Sequence, residues 1–79
     1  MQITFYAGAA DAAGTTTTTL DAGELSASEL LARLAGTDEH LAGVLSHCSL
    51  LVDGAPVRDT SEPIRPQSRV DVLPPFAGG

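Results

Sequence analysis

An α+β fold, a mixed sheet with one main helix packed on one of its faces, is what this sequence predicts, and three observations carry it. Short β-branched or apolar segments stand near both ends of the 79-residue chain. One strongly signalled helix lies between them. The last of the strand-like segments, Arg69 to Leu73, alternates as a half-buried strand does and is stopped by Pro74-Pro75.

The elements follow in order. Gln2 to Tyr6 sets Ile3 and Phe5 among polar neighbours and reads as a first strand. Ala7 to Gly14 is small and glycine-containing and is expected to be a loop. Thr15 to Leu20 is β-branched until Leu20, so it is expected to return as the second strand of an antiparallel hairpin. Ser26-Ala27-Ser28-Glu29 is a capping box, Leu30, Leu31 and Leu34 follow at helical spacing, and Gly36 supplies a stop. That spacing predicts a helix over Ala27 to Ala35. After Thr37, a second short helix is expected from Leu41, Val44 and Leu45. Ser49 to Val52 is strand-like, Asp53-Gly54 is a hairpin turn, and Ala55-Pro56-Val57 returns, with Pro56 restricting that strand to an edge or bulge. Pro63 to Gln67 is a turn-rich connection, and Arg69 to Leu73 is the last strand. Phe5, Leu50, Val52, Val70 and Val72 are the expected core.

A hairpin, a helix, then further strands make the β-grasp arrangement, in which the last strand lies in the middle of the sheet beside the first. Residues 1–75 would form that domain, and residues 76–79 a flexible tail leaving the sheet.

This length allows one domain, and a chain of this size buries only about 60% of its unfolded surface. Cys48 is the single cysteine, so neither a disulfide nor a multi-thiolate metal site is available, and a reducing cytoplasm is the expected compartment. Met1 to Phe5 reads as a strand rather than a signal peptide, and no segment approaches membrane-spanning length. The net charge is −6, with Arg33, Arg58, Arg65 and Arg69 the only basic side chains besides the histidines. This argues against nucleic-acid binding, which needs clustered Lys and Arg. Acidity suits a basic protein partner or serves solubility alone.

The chain ends Leu73-Pro74-Pro75-Phe76-Ala77-Gly78-Gly79. Glycine has no Cβ, so Gly78-Gly79 is thin enough to thread a narrow channel and present a carboxylate inside another protein. The prolines direct the chain outward, and Phe76 is a candidate partner anchor, although it could instead fold back on the sheet. Alternate positions on the uncovered sheet face are expected to form an apolar docking patch. His40, His47 and Cys48 lack zinc spacing and an activating partner, so they are read as structural, and no metal site is expected. Arg65 and Arg69 either pair with acidic groups of a partner or are simply solvated.

Ile3-Thr4-Phe5-Tyr6-Ala7 with the small-residue segment to Gly14, Leu50-Leu51-Val52-Asp53-Gly54, and above all the ending Val70 to Gly79, resemble the MoaD/ThiS family of ubiquitin-like sulfur carriers, most of all the molybdopterin synthase small subunits. The resemblance spans the whole chain. Those subunits often carry aromatic residues just before the two prolines; here Val72 and Leu73 stand there, with Phe76 after them, and lysine is absent.

The resemblance implies that an ATP-dependent activating enzyme adenylates Gly79. A sulfur donor protein, ultimately a cysteine persulfide, then converts the acyl-adenylate to a thiocarboxylate. A large catalytic synthase subunit would take the sulfur to a pterin precursor. Gly79 and Gly78 would carry the chemistry, and Leu73, Pro74, Pro75, Phe76 and Ala77 would meet the partners. ATP would be consumed by the partner, with no cofactor bound, which fits a chain lacking a phosphate-binding glycine loop and any self-contained active site. Three other readings stay open: a carrier for thiamine, cysteine or another sulfur metabolite; a ubiquitin-like modifier joined through Gly79 to lysines; and a β-grasp interaction module with no chemistry at its tail.

Overall fold

The first strand, β1 (Gln2–Phe5), buries Ile3 and Phe5 and leaves Gln2 exposed, the period-two pattern its sequence dictates. In the computed structural model, which describes residues 1–75, it is followed by α1 (Ala7–Ala13), β2 (Thr17–Thr19), β3 (Leu25–Ser26), α2 (Ala27–Ala35), α3 (Glu39–Leu45), β4 (Ser49–Val52), β5 (Ala55–Pro56), β6 (Pro63–Ile64) and β7 (Arg69–Leu73). The main sheet has the order β2-β1-β7-β4-β5. β1 and β7 run parallel, with Ile3 opposite Val70 and Phe5 opposite Val72, and the other pairings are antiparallel. The last strand is therefore central and beside the first, the β-grasp arrangement expected.

α2 starts and stops as its sequence predicts. Glu29 N–H donates to Ser26 Oγ at 3.1 Å and Ser26 N–H donates to Glu29 Oε1 at 2.9 Å, the two halves of the capping box. Gly36 follows the last turn at φ 56°, and its N–H donates to Ala32 O. Asp38 caps α3 by accepting from Leu41 N–H at 3.0 Å. α1 and α2 both pack on α3. Together with the inner face of the sheet they enclose Ile3, Leu30, Leu45, Val70 and Val72, all fully buried, with Phe5, Leu41 and Leu50 beside them. Val52, expected in the core, is only partly buried at its margin.

Three local expectations are corrected. Ala7 to Gly14 is a helix and not a loop. Five of the seven residues of α1 are alanine, the best helix former, and Gly14 in the left-handed conformation closes it with N–H donated to Ala10 O at 2.9 Å. Its small side chains allow close approach, and Ala9 is completely buried. β1 and β2 are thus antiparallel neighbours joined by a helix rather than by a hairpin loop. Second, the threonine strand is shorter than Thr15 to Leu20. Thr15 Oγ1 donates to Thr17 O at 2.9 Å, a local bond that competes with the ladder. Third, Pro63–Ile64 pairs with Leu25–Ser26 in a separate two-stranded ribbon. Leu25 and Ile64, both buried, hold it there. Two residues carry no readable period, so neither strand shows in the sequence.

Candidate functional site: the end of the central strand

β7 carries the chain toward its C-terminus from the centre of the sheet. The Val72 carbonyl stays within the fold, accepting from Tyr6 N–H at 3.1 Å. Leu73 pairs with Ser49 and is half-buried. Pro74, half-buried, and Pro75, exposed, follow without strand pairing, since neither has an N–H to give. Of the sequence-predicted site, Leu73, Pro74 and Pro75 are thus at the exit of the central strand. Phe76, Ala77, Gly78 and Gly79 lie outside the described residues.

Two surfaces flank this exit. One is the uncovered face of the sheet, where Gln2, Thr4, Thr17, Thr19, Arg69 and Asp71 alternate with the buried positions. The expected apolar patch is not continuous. Leu51 and Leu73 are half-buried there, but Asp71 lies opposite Leu51 in the ladder and breaks the surface. Tyr6, 44% exposed, is the exposed large hydrophobic side chain of the described residues, and its hydroxyl points to Asp71 Oδ1 at 3.5 Å. The threonine-rich β2, with Gln2, Thr4, Arg69 and Asp71, makes most of this face polar, because most of the large aliphatics of the strands are used in the core.

The other surface is a shallow groove on the outer side of α3, lined by Glu39, His40, Gly43, Val44 and His47 and closed by Pro75. His47 Nδ1 lies 3.2 Å from Gly43 O and 3.0 Å from Ser46 Oγ, which orients the ring at the helix end. The groove was not read from the sequence. Its signal is the stripe His40, Gly43, Val44, His47 at helical spacing, which is distinct from the buried Leu41 and Leu45.

Cys48 is half-buried, its Sγ donates to Val44 O at 3.3 Å, and burial pushes the thiol up from its ordinary pKa, so it is a poor nucleophile at neutral pH. Among the described residues no three of His, Cys, Asp and Glu are grouped to hold a metal. Arg65 and Arg69 are exposed; the Arg69 backbone N–H donates to Asp53 Oδ1 at 3.0 Å. No helix among the described residues is long and apolar enough to cross a membrane.

Solved structures share this fold. SAMP1 from Haloferax volcanii superposes with a TM-score of 0.81 at 24% identity, over 100% of this chain and 98% of that one. A second structure of that organism's small archaeal modifier protein 1 gives 0.79 at 22%, over 96% and 97%. A chain of the complex of subunits 1 and 2 of the molybdopterin-converting factor of Helicobacter pylori gives 0.68 at 18%, over 99% and 96%. No curated protein sequence matches significantly. A sequence model of the ThiS family matches residues 3–79, taking in the β-grasp domain and the Pro-Pro-Phe-Ala-Gly-Gly ending together, and the chain belongs to the ThiS family.

Proposed function

We propose that this protein is a cytoplasmic sulfur carrier whose Gly79 carboxylate is activated and converted to a thiocarboxylate that supplies sulfur for molybdopterin synthesis. The observation that carries the reading is the family match running through Gly79, on a chain whose central strand leads directly into the tail. A carboxylate is a poor electrophile, so an activating enzyme must first transfer AMP from ATP to it, releasing pyrophosphate. The terminal sulfur of a protein persulfide then displaces AMP. A thiol cleaves the resulting acyl disulfide and leaves the thiocarboxylate. Gly78 and Gly79 supply the reach for these steps, while Leu73, Pro74, Pro75, Phe76 and Ala77 meet the activating enzyme and the acceptor. The likeness to a chain of the two-subunit molybdopterin-converting factor supports a larger catalytic subunit as the acceptor partner.

A second reading, a protein modifier joined through Gly79 to target amines, is favoured by the likeness to the small archaeal modifier protein. Both readings share the adenylate and part at the nucleophile, sulfur in one and an amine in the other. Intact-mass measurement after incubation with ATP, an activating enzyme and a persulfide donor tests the carrier. A gain equal to replacing one oxygen by one sulfur, in the peptide holding Gly79, is expected. Isopeptide-linked conjugates without that gain would favour the modifier. No change, with the enzyme competent on another carrier, would refute activation by that enzyme.

A further inference from the structure

β2 stands first in the order β2-β1-β7-β4-β5, so among the described residues one side of it meets no other strand. Phe5 N–H donates to Thr16 O at 2.7 Å and Leu20 N–H donates to Met1 O at 2.8 Å, with Ile3 opposite Thr18 between them. Thr16, Thr18 and Leu20 therefore turn their backbone groups toward β1. The alternate residues, Thr17 and Thr19, turn theirs away from it. Thr15 Oγ1 occupies the outward groups of Thr17, donating to its C=O at 2.9 Å and accepting from its N–H at 3.4 Å. Among the described residues nothing does the same for Thr19. Sheet edges are ordinarily blunted by charge or proline. The far edge, β5, carries Pro56, whereas Thr15 to Leu20 carries neither.

A cavity of about 240 Å³ opens alongside this edge. Phe5, Leu20, Leu34 and Leu41 line its apolar part, and Thr18 and Arg33 its polar part. Arg33 is exposed and is the one charged side chain of that lining. Glu29, one turn earlier on α2, is engaged by Ser26 N–H. The volume lies below the ~300–1,000 Å³ of ordinary small-molecule sites and suits apolar side chains entering from an adjacent backbone.

Strand addition uses both features at once: main-chain bonds at an open edge supply affinity, and pockets for alternate side chains supply selectivity. We propose that the β2 edge is a docking site for an extended segment of a partner protein, which pairs with Thr19, sends an apolar side chain into the cavity and sets a carboxylate beside Arg33. A second copy of this chain suits the edge less. Its own β2 offers only threonines to the cavity, and each copy carries a net charge of −6. Docking here needs no chemistry at Gly79 and stands apart from the carrier reading.

NMR of the isotope-labelled full chain tests it. The probe is a short blocked peptide in which valine alternates with threonine and one aspartate follows. Binding predicts a displaced Thr19 amide resonance, slowed solvent exchange of that amide, and nuclear Overhauser contacts from the peptide valines to Leu34. The same peptide N-methylated along its backbone, with no N–H to give, should not bind. Thr19→Pro removes the outward donor and should abolish binding while the β7 resonances stay in place. Ala13→Leu, which fills the cavity from α1, should abolish it by a second route. Arg33→Gln should weaken binding about two- to fivefold, the worth of an exposed ion pair. Displacements centred on the α3 groove or the outer sheet face, or none at millimolar peptide, would overturn the proposal, as would undiminished binding by both blocking variants. The same Thr19 protection on concentrating the chain alone would show a second copy at the edge and overturn it. Acetate alone reproducing the displacement would show a small-anion site and overturn it too.

Discussion

Phe5 and Val72 stand opposite each other in the parallel pairing of the first and last strands, 4% and 0% exposed. This pair joins the two ends of the fold directly beneath the point where the tail departs. Phe5→Ala is expected to remove about 3–5 kcal/mol of stability by leaving a cavity beside Val72. Urea unfolding followed by circular dichroism measures it. A loss under about 1 kcal/mol would mean that the parallel seam is not part of the cooperative core.

On the proposed function, the terminal residue decides the chemistry and not the fold. Removing Gly79, or adding a residue after it, should abolish sulfur acceptance with an unchanged unfolding midpoint. Gly78→Val should fold normally but be activated more slowly, because a β-branched residue restricts the backbone entering a narrow channel. Mass spectrometry of the activated product and stopped-time adenylation assays read the two effects. An extended chain that still became thiocarboxylated would refute the assignment of Gly79.

Acid should weaken the fold through two carboxylates held by local hydrogen bonds, Glu29 in the α2 capping box and Asp59 in a turn. Backbone and side-chain hydrogen bonds to Ser26 hold Glu29 below the ordinary carboxylate range, and the Ser61 hydroxyl and amide do the same for Asp59. Both folded pKa values are depressed. Their contribution is therefore fully present above the unfolded values, about 4.3 for Glu and about 3.9 for Asp, and is lost as pH falls through the folded ones. The urea midpoint should drop across that acid window, and Glu29→Gln with Asp59→Asn should flatten the drop. Ser26→Ala should remove about 1 kcal/mol at neutral pH by uncapping α2.

Asp53 does two things at once in the hairpin between β4 and β5. Its φ of 50° precedes Gly54 at 86°, a turn with two left-handed residues, and its Oδ1 accepts from Arg69 N–H. Asp53→Ala loses both the local tolerance of that conformation and the bond, and should destabilise by about 1–3 kcal/mol. Asp53→Asn, which tolerates the same φ and keeps an acceptor, should recover most of it. Equal losses in the two variants, by thermal unfolding, would show that the side-chain oxygen is immaterial.

Cys48 should behave as a packed side chain. Its raised pKa predicts alkylation at neutral pH slower than that of the unfolded chain, and Cys48→Ala should leave sulfur acceptance at Gly79 unchanged. Loss of sulfur acceptance in Cys48→Ala with an intact fold would place the thiol in the transfer path.

Much of this was written locally in the chain. Ser26 and Glu29 three residues apart in a capping box, the leucines at helical spacing, the Asp53-Gly54 turn and the alternation of Val70 and Val72 each involve neighbours that interact with one another, so sequence order is enough to read them. The tail motif was legible for the same reason, because the chemistry proposed for it needs a glycine terminus and nothing from the core. What required the folded chain depends on partners far away in sequence. Ala7–Ala13 lacks large apolar residues to mark a helix, and forms one where Ala9 can pack against the rest of the core. Leu25 and Ile64 make a ribbon only because the fold brings them together. Asp71 interrupts the sheet face through its register with Leu51, and Pro75 lines one groove with Gly43 only because the chain leaving β7 passes beside α3. Periodicity reports which side of an element is buried; it carries no information on which other element lies across the gap.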